Sequence, residues 1–270
     1  MGICFSRDST FPAPEKLRRN SSSRGKATIL MSAASNGLLP WRDITFAAHS
    51  EGTMATQEDV IKAVQSGDAA ALKTFLHDDP ALASARDGNG VSALMYAFYF
   101  RQPEIANLLL AAKSELDIFE ATAAGKSELV SEITKRDPEA AKQSSPDGFT
   151  ALHFAAFFNH QEIARDLIRH GADVAAVAKN AMKVSPIHSA AAAHSTEIVR
   201  LLLEQGAPAD ARQQGGWTAL HEAAQTGNLD MVSDLLQHQA DPLARNDDGK
   251  TPADMAAQKG HTEVVKMLSR

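Results

Sequence analysis

Three histidines, His153, His188 and His221, recur at intervals of 35 and 33 residues, each three positions after a threonine or serine. Imidazoles at so regular a spacing invite a metal reading. One histidine per repeating unit, however, puts neighbours about one helix-packing distance apart, on the order of 10 Å, whereas ligands of a shared metal sit about 2 Å from it. The expectation is that all three are structural, with no metal site and no cofactor. The chain carries no Walker loop, no nucleophile elbow and no paired carboxylates beyond those that helix capping and solvation explain. No catalytic residue is assigned, and the chain is not expected to be an enzyme.

The histidines belong to a longer pattern. Thr150-Ala151-Leu152-His153, Ser185-Pro186-Ile187-His188, Thr218-Ala219-Leu220-His221 and Thr251-Pro252-Ala253-Asp254 are each followed two positions later by alanine. Six residues past the His/Asp position stands a residue tolerant of left-handed backbone: Asn159, His194, Gly227 or Gly260. A second amphipathic run then begins, as in Glu197-Ile198-Val199-Arg200-Leu201-Leu202-Leu203, with apolar residues at helical spacing. Gly171-Ala172-Asp173, Gly206-Ala207-Pro208 and Ala240-Asp241-Pro242 stop these runs. Asp147-Gly148, Gly215-Gly216 and Asp248-Gly249 supply the turns before the next unit.

These motifs resemble the ankyrin repeat, over roughly residues 54 to 270 and most strongly from 147 onward. The resemblance implies an all-α repeat solenoid of stacked helix-turn-helix units with short β-hairpin fingers. It also implies that the histidines link neighbouring repeats by hydrogen bonds. Local chemistry agrees, since a Thr/Ser hydroxyl caps a helix start and small alanines let inner helices stack closely. Weaker copies start near Glu58, Ser92 and Leu116, giving about seven repeats with a degenerate beginning and an atypical last one.

A second register appears at a shift of 58 residues, which superposes Gly67 on Gly125, Asp79-Pro80 on Asp137-Pro138, Gly90 on Gly148 and Glu104-Ile105-Ala106 on Glu162-Ile163-Ala164. The first four repeats therefore read as a doubled pair. Only 24 residues separate Ser92 from Leu116, too few for a hairpin, so a finger is expected to be missing there.

Members of this family generally bind other proteins on the concave side formed by fingers and inner helices, and the resemblance implies a scaffold or adaptor with a protein partner. Residues just before the Thr/Ser, Val91, Phe149, Val184, Trp217 and Lys250, are expected to face that side, with Trp217 exposed to solvent. So are the ends of the first helices, Tyr99-Phe100 and Phe157-Phe158. Two readings of the aromatics stand side by side: anchors for a partner, or core that fills the gap of the missing finger.

Composition bounds the rest. Among 270 residues the one cysteine, Cys4, cannot form an internal disulfide, and no apolar run reaches the roughly 18 to 20 residues that a bilayer needs. Residues 1 to 53 hold seven Lys/Arg against four Asp/Glu, leaving 20 against 29, or −9, for the remainder. That acidic body argues against nucleic acid as a partner. A monomeric, cytoplasmic protein is expected. The head, residues 1 to 53, shows no helical or strand period and reads as disordered. Met1-Gly2-Ile3-Cys4-Phe5-Ser6 fits N-myristoylation at Gly2 with palmitoylation at Cys4, which would make a membrane-tethered regulator with help from Lys16, Arg18 and Arg19. Alternatively Met54 is the native start and the head an inert leader, or the head is a transit peptide, against which Asp8 and Glu15 count.

Overall fold

The computed structural model describes residues 54–269. The basic head with Gly2 and Cys4 lies outside the described residues. The described chain forms two units, each a stack of antiparallel helix pairs of the all-α repeat solenoid class.

The first unit comprises residues 54–88 and 92–113, with α1 Gln57–Ser66, α2 Ala69–Asp78, α3 Ala93–Tyr99 and α4 Pro103–Ala112. Thr56 and Asp59 close a capping box on α1, in which the Thr56 N–H donates to Asp59 Oδ2 at 3.0 Å. Gly67, at φ 75°, turns the chain into α2, where Asp68 accepts the Ala71 N–H at 2.9 Å. Asp79 and Pro80 open a short 3-10 helix, Pro80–Ser84, because the aspartate accepts the Ala81 N–H and proline costs nothing at a position with no donor to lose. Val60, Val64, Leu72, Leu94 and Leu109 are fully buried and make the core.

The second unit comprises residues 89–91 and 114–269. It holds α5 Ile118–Ala123, α6 Ser127–Arg136, α7 Ala151–Phe157, α8 Gln161–Arg169, α9 Pro186–Ala192, α10 Thr196–Glu204, α11 Ala219–Thr226, α12 Leu229–Gln237, α13 Pro252–Lys259 and α14 Thr262–Leu268. One hydrophobic core runs through all five pairs. Ala151, Ala155, Ala190, Ala219, Ala223 and Ala256 are each completely buried on the inner helices, where a larger side chain would hold neighbouring backbones apart. Ile163, Leu167, Ile198, Leu202, Met231 and Leu235 of the outer helices fill the space between, each worth about 1.5–3 kcal/mol of burial.

The 58-residue register governs three dimensions. α2 at 69–78 recurs as α6 at 127–136, the 3-10 turn at 80–84 as Pro138–Lys142, and α3 at 93–99 as α7 at 151–157. The isolated β-bridge Arg86↔Ser92 recurs as Ser144↔Thr150. The missing finger is equally plain: α4 and α5 are joined by residues 113–117, without a hairpin, where the other inner-to-inner connections carry 14 or 16 residues beyond the outer helix. Met95 stands at the position that holds histidine in α7, α9 and α11, and the connection that follows its helix pair has no finger to receive a histidine.

Candidate functional site

Three sets of hydrogen bonds fix the second unit's fingers and inner helices, where a partner is expected from the sequence. Within each inner helix the third residue closes the cap: the backbone N–H of Thr150, Ser185 and Thr218 donates to Nδ1 of His153, His188 and His221 at 3.2, 3.0 and 3.2 Å. An Nδ1 that accepts leaves the proton on Nε2, which then donates forward to a carbonyl of the next finger. His153 reaches Val184 O at 3.0 Å, His188 reaches Ala211 O at 2.9 Å and His221 reaches Lys250 O at 3.1 Å. Each neutral imidazole thus ties a helix start to the following repeat. Burial pushes His153 and His188 down to about 4 and lowers His221 as well, against the opposing pull of the carbonyls they bond.

The second set runs backward. His160 and His261, at the starts of outer helices, lie 3.3 Å from Ala123 O and 3.1 Å from Gln225 O in the preceding repeat. Their rings sit where a side chain on Gly125 or Gly227 would stand: a Cβ there would come within 2.8 Å and 2.5 Å of the imidazoles. Those two glycines serve both a left-handed turn and a close approach. The third set joins fingers edge to edge, with Lys179 N to Gly148 O at 2.8 Å, Gln214 N to Met182 O at 2.8 Å and Asp247 N to Gly215 O at 2.9 Å.

On this frame the aromatic candidates divide. Phe149 is 1 % exposed, because its ring packs against His153 at 5.8 Å and Phe154 at 5.7 Å. Trp217, expected to face solvent, is instead 7 % exposed, with its ring 5.6 Å from His221. Phe149 and Trp217 each lie against the histidine four residues on; Val91 and Val184 are buried as well, and of the five positions before the Thr/Ser only Lys250 is partly open. In the first unit Tyr99 is 1 % exposed and packs edge-on to Tyr96. Phe100, half-buried, stacks on Tyr96 at 6.0 Å. Phe157 and Phe158, also half-buried, lie edge to face at 5.2 Å at the end of α7. Phe100, Phe157 and Phe158 are therefore the aromatic candidates with accessible surface.

Among the described residues no group of three His, Cys, Asp or Glu side chains could hold a metal ion. No helix of the described chain is long and apolar enough to cross a membrane.

A family model described as ankyrin repeats matches three times, over residues 60–178, 118–213 and 187–270. Similar proteins include the ankyrin repeat and SAM domain-containing protein 6 of Mus musculus, 37% identical over 144 residues, and that of Rattus norvegicus, 39% identical over 144 residues. Each of these matches covers 53% of this chain and 14% of the relative's own length.

Proposed function

Because the chain belongs to the ankyrin repeat family, whose repeats mediate protein–protein interaction and are typically non-catalytic, we propose that it is a scaffold or adaptor that binds a protein partner on the concave face of its fingers and inner helices. The observation that carries this reading is the half-buried aromatic pair Phe157-Phe158 at the end of α7, on a helix held at its start by His153. Aromatic rings offer large contact area at low entropic cost, and a fixed helix presents them without further ordering. Phe100, 58 residues earlier, occupies the register of Phe158 in the first unit. Tyr99, Phe149 and Trp217 are buried, so replacing them tests folding before binding.

The test is affinity capture from the host's lysate with the full chain and with Phe157→Ala/Phe158→Ala, each first shown to melt normally by circular dichroism. A partner held by the parent and lost by the folded variant supports the reading. A folded variant that retains every partner overturns the assignment of these rings.

A second reading rests on Met1-Gly2-Ile3-Cys4-Phe5-Ser6: acylation at Gly2 and Cys4 would tether the same module to a membrane, since one chain alone binds reversibly and a second makes the anchor stable. Gly2→Ala abolishes membrane recovery under this reading and leaves distribution unchanged if the protein is simply cytoplasmic.

A further inference from the structure

Arg212 and Arg245 stand one repeat apart at the same register of consecutive fingers, each directly before the residue whose N–H closes its finger, Gln213 N to Trp217 O and Asn246 N to Lys250 O. Each arginine spends one N–H across its own fingertip. Nη1 of Arg245 donates to Gly249 O at 2.6 Å, and Nη1 of Arg212 lies 3.4 Å from Gly216 O. The same Nη1 of Arg212 reaches Arg245 O at 2.8 Å, so one guanidinium bridges both fingers. Both side chains are exposed, and neither forms an ion pair with a carboxylate among the described residues.

A guanidinium carries five N–H donors in a rigid fork, and anchoring one corner on backbone leaves the others presented at little further entropic cost. Arginine in that condition recognises planar oxyanions by paired hydrogen bonds. The nearby acids are engaged or peripheral: Asp254 accepts from Thr251 N and Oγ1 at 2.8 Å each, Asp210 accepts the Asp241 N–H at 2.8 Å, and Asp247 and Asp248 lie at the exposed tip. Arg212 also lies near enough to His221, and Arg245 and Lys250 to Asp254, to bias their protonation. That places all three cations beside the starts of the inner helices α11 and α13. Lys179 and Lys183, both exposed, continue the positive row on the preceding finger.

We infer that the last two fingers bind an extended acidic segment of a partner protein, with Arg212 and Arg245 each receiving one carboxylate. This rests on the interaction reading above and adds the class of ligand. Neighbouring repeats lie about 10 Å apart, and a chain in the extended polyproline II form advances about 3.1 Å per residue with about three residues per turn, so two carboxylates three residues apart fall on one side at about that spacing.

The test is fluorescence anisotropy on the full chain with labelled Gly/Ser peptides that carry two glutamates three residues apart, two glutamines at the same places, or two phosphoserines. The glutamate peptide is expected to bind at least tenfold tighter than the glutamine peptide at low salt and to weaken as salt rises. Arg212→Gln and Arg245→Gln, at unchanged melting temperature, are each expected to weaken it roughly tenfold, the size of one charge-assisted hydrogen bond. Arg200→Gln, which removes an outer-helix pair with Asp234, should leave binding unchanged. Absence of glutamate-peptide binding, equal binding of the glutamine peptide, binding of the phosphoserine peptide alone, or arginine variants that bind like the parent would overturn the inference. If that happens while Phe157→Ala/Phe158→Ala still loses its captured partner, the acidic-segment assignment falls and the interaction module stands.

Discussion

Repeats before Thr150 and repeats after it connect one helix pair to the next by different chemistry. Before it, Asp79-Pro80 and Asp137-Pro138 open short 3-10 turns that carry the chain back to a finger, and the third positions of α1, α3 and α5 hold Asp59, Met95 and Glu120. After it, His153, His188 and His221 each close their own helix cap and reach a carbonyl of the next finger. A carboxylate at the third position accepts two donors but cannot pass a proton forward, whereas a neutral imidazole accepts on one nitrogen and donates on the other. The later repeats are thereby coupled in series. The last one reverts to a carboxylate, Asp254, which caps Thr251 with no forward donor.

Acid separates the two regions most widely. His153 and His188 titrate near 4 when folded and near 6.5 when unfolded, so between those values the unfolded chain takes up protons that the folded chain refuses. Stability contributed by the neutral form is complete above 6.5 and is lost as pH falls from 6.5 to 4, by on the order of 3 kcal/mol per histidine. Denaturant melts of Trp41→Phe across that window should weaken the His-linked repeats first, read from the remaining tryptophan, Trp217, and Trp217 unfolding that is flat between pH 6.5 and 4.5 would contradict the coupling.

The paired glycines sharpen the contrast. Gly90 and Gly148 hold the same turn at φ 89° and 91°, yet a Cβ on Gly90 meets only the Pro146 ring at 3.3 Å, while one on Gly148 comes within 2.8 Å of Lys179 backbone. Gly148→Ala should cost about 3 kcal/mol and Gly90→Ala about 1 kcal/mol, measured by chemical denaturation. Next in size, His188→Ala removes an acceptor and a donor from a buried site and should cost about 2 kcal/mol, whereas Met95→Leu at the equivalent position should cost less than about 1.5 kcal/mol. Equal losses at the two sites would show that the histidine does no linking. The smallest effect lies at α14, whose Val265 and Met267 stay partly exposed. Its amides should exchange within the fastest class of helical amides, and full protection would refute that.

Much of this frame is legible in the sequence. The 33-residue period gave the helix pairs, the 58-residue shift matched α2, α3 and their 3-10 turn with α6, α7 and theirs, and the short Ser92-to-Leu116 interval foretold the absent finger. The exposure expected of Trp217 rests on its place on a finger, whereas its neighbour decides its burial. Trp217 and His221 stand four residues apart, as do Phe149 and His153, and a large ring next to a buried imidazole gains more from covering it than from facing water. The backward links of His160 and His261 depend on carbonyls 37 and 36 residues upstream, although the small residue opposite each, Gly125 and Gly227, carried a hint of close approach. Arg212 and Arg245 were visible as a repeat of 33, but only their shared anchoring on finger carbonyls gives that spacing meaning.

We propose that a protein partner docks on the fingers and inner helices. Hydrogen exchange of the full chain, with and without the captured partner, tests it directly. Added protection at the end of α7 and in the fingers around Gly148, Gly215 and Gly249, with α8, α10 and α12 unchanged, is the predicted result. Protection confined to those outer helices would contradict it.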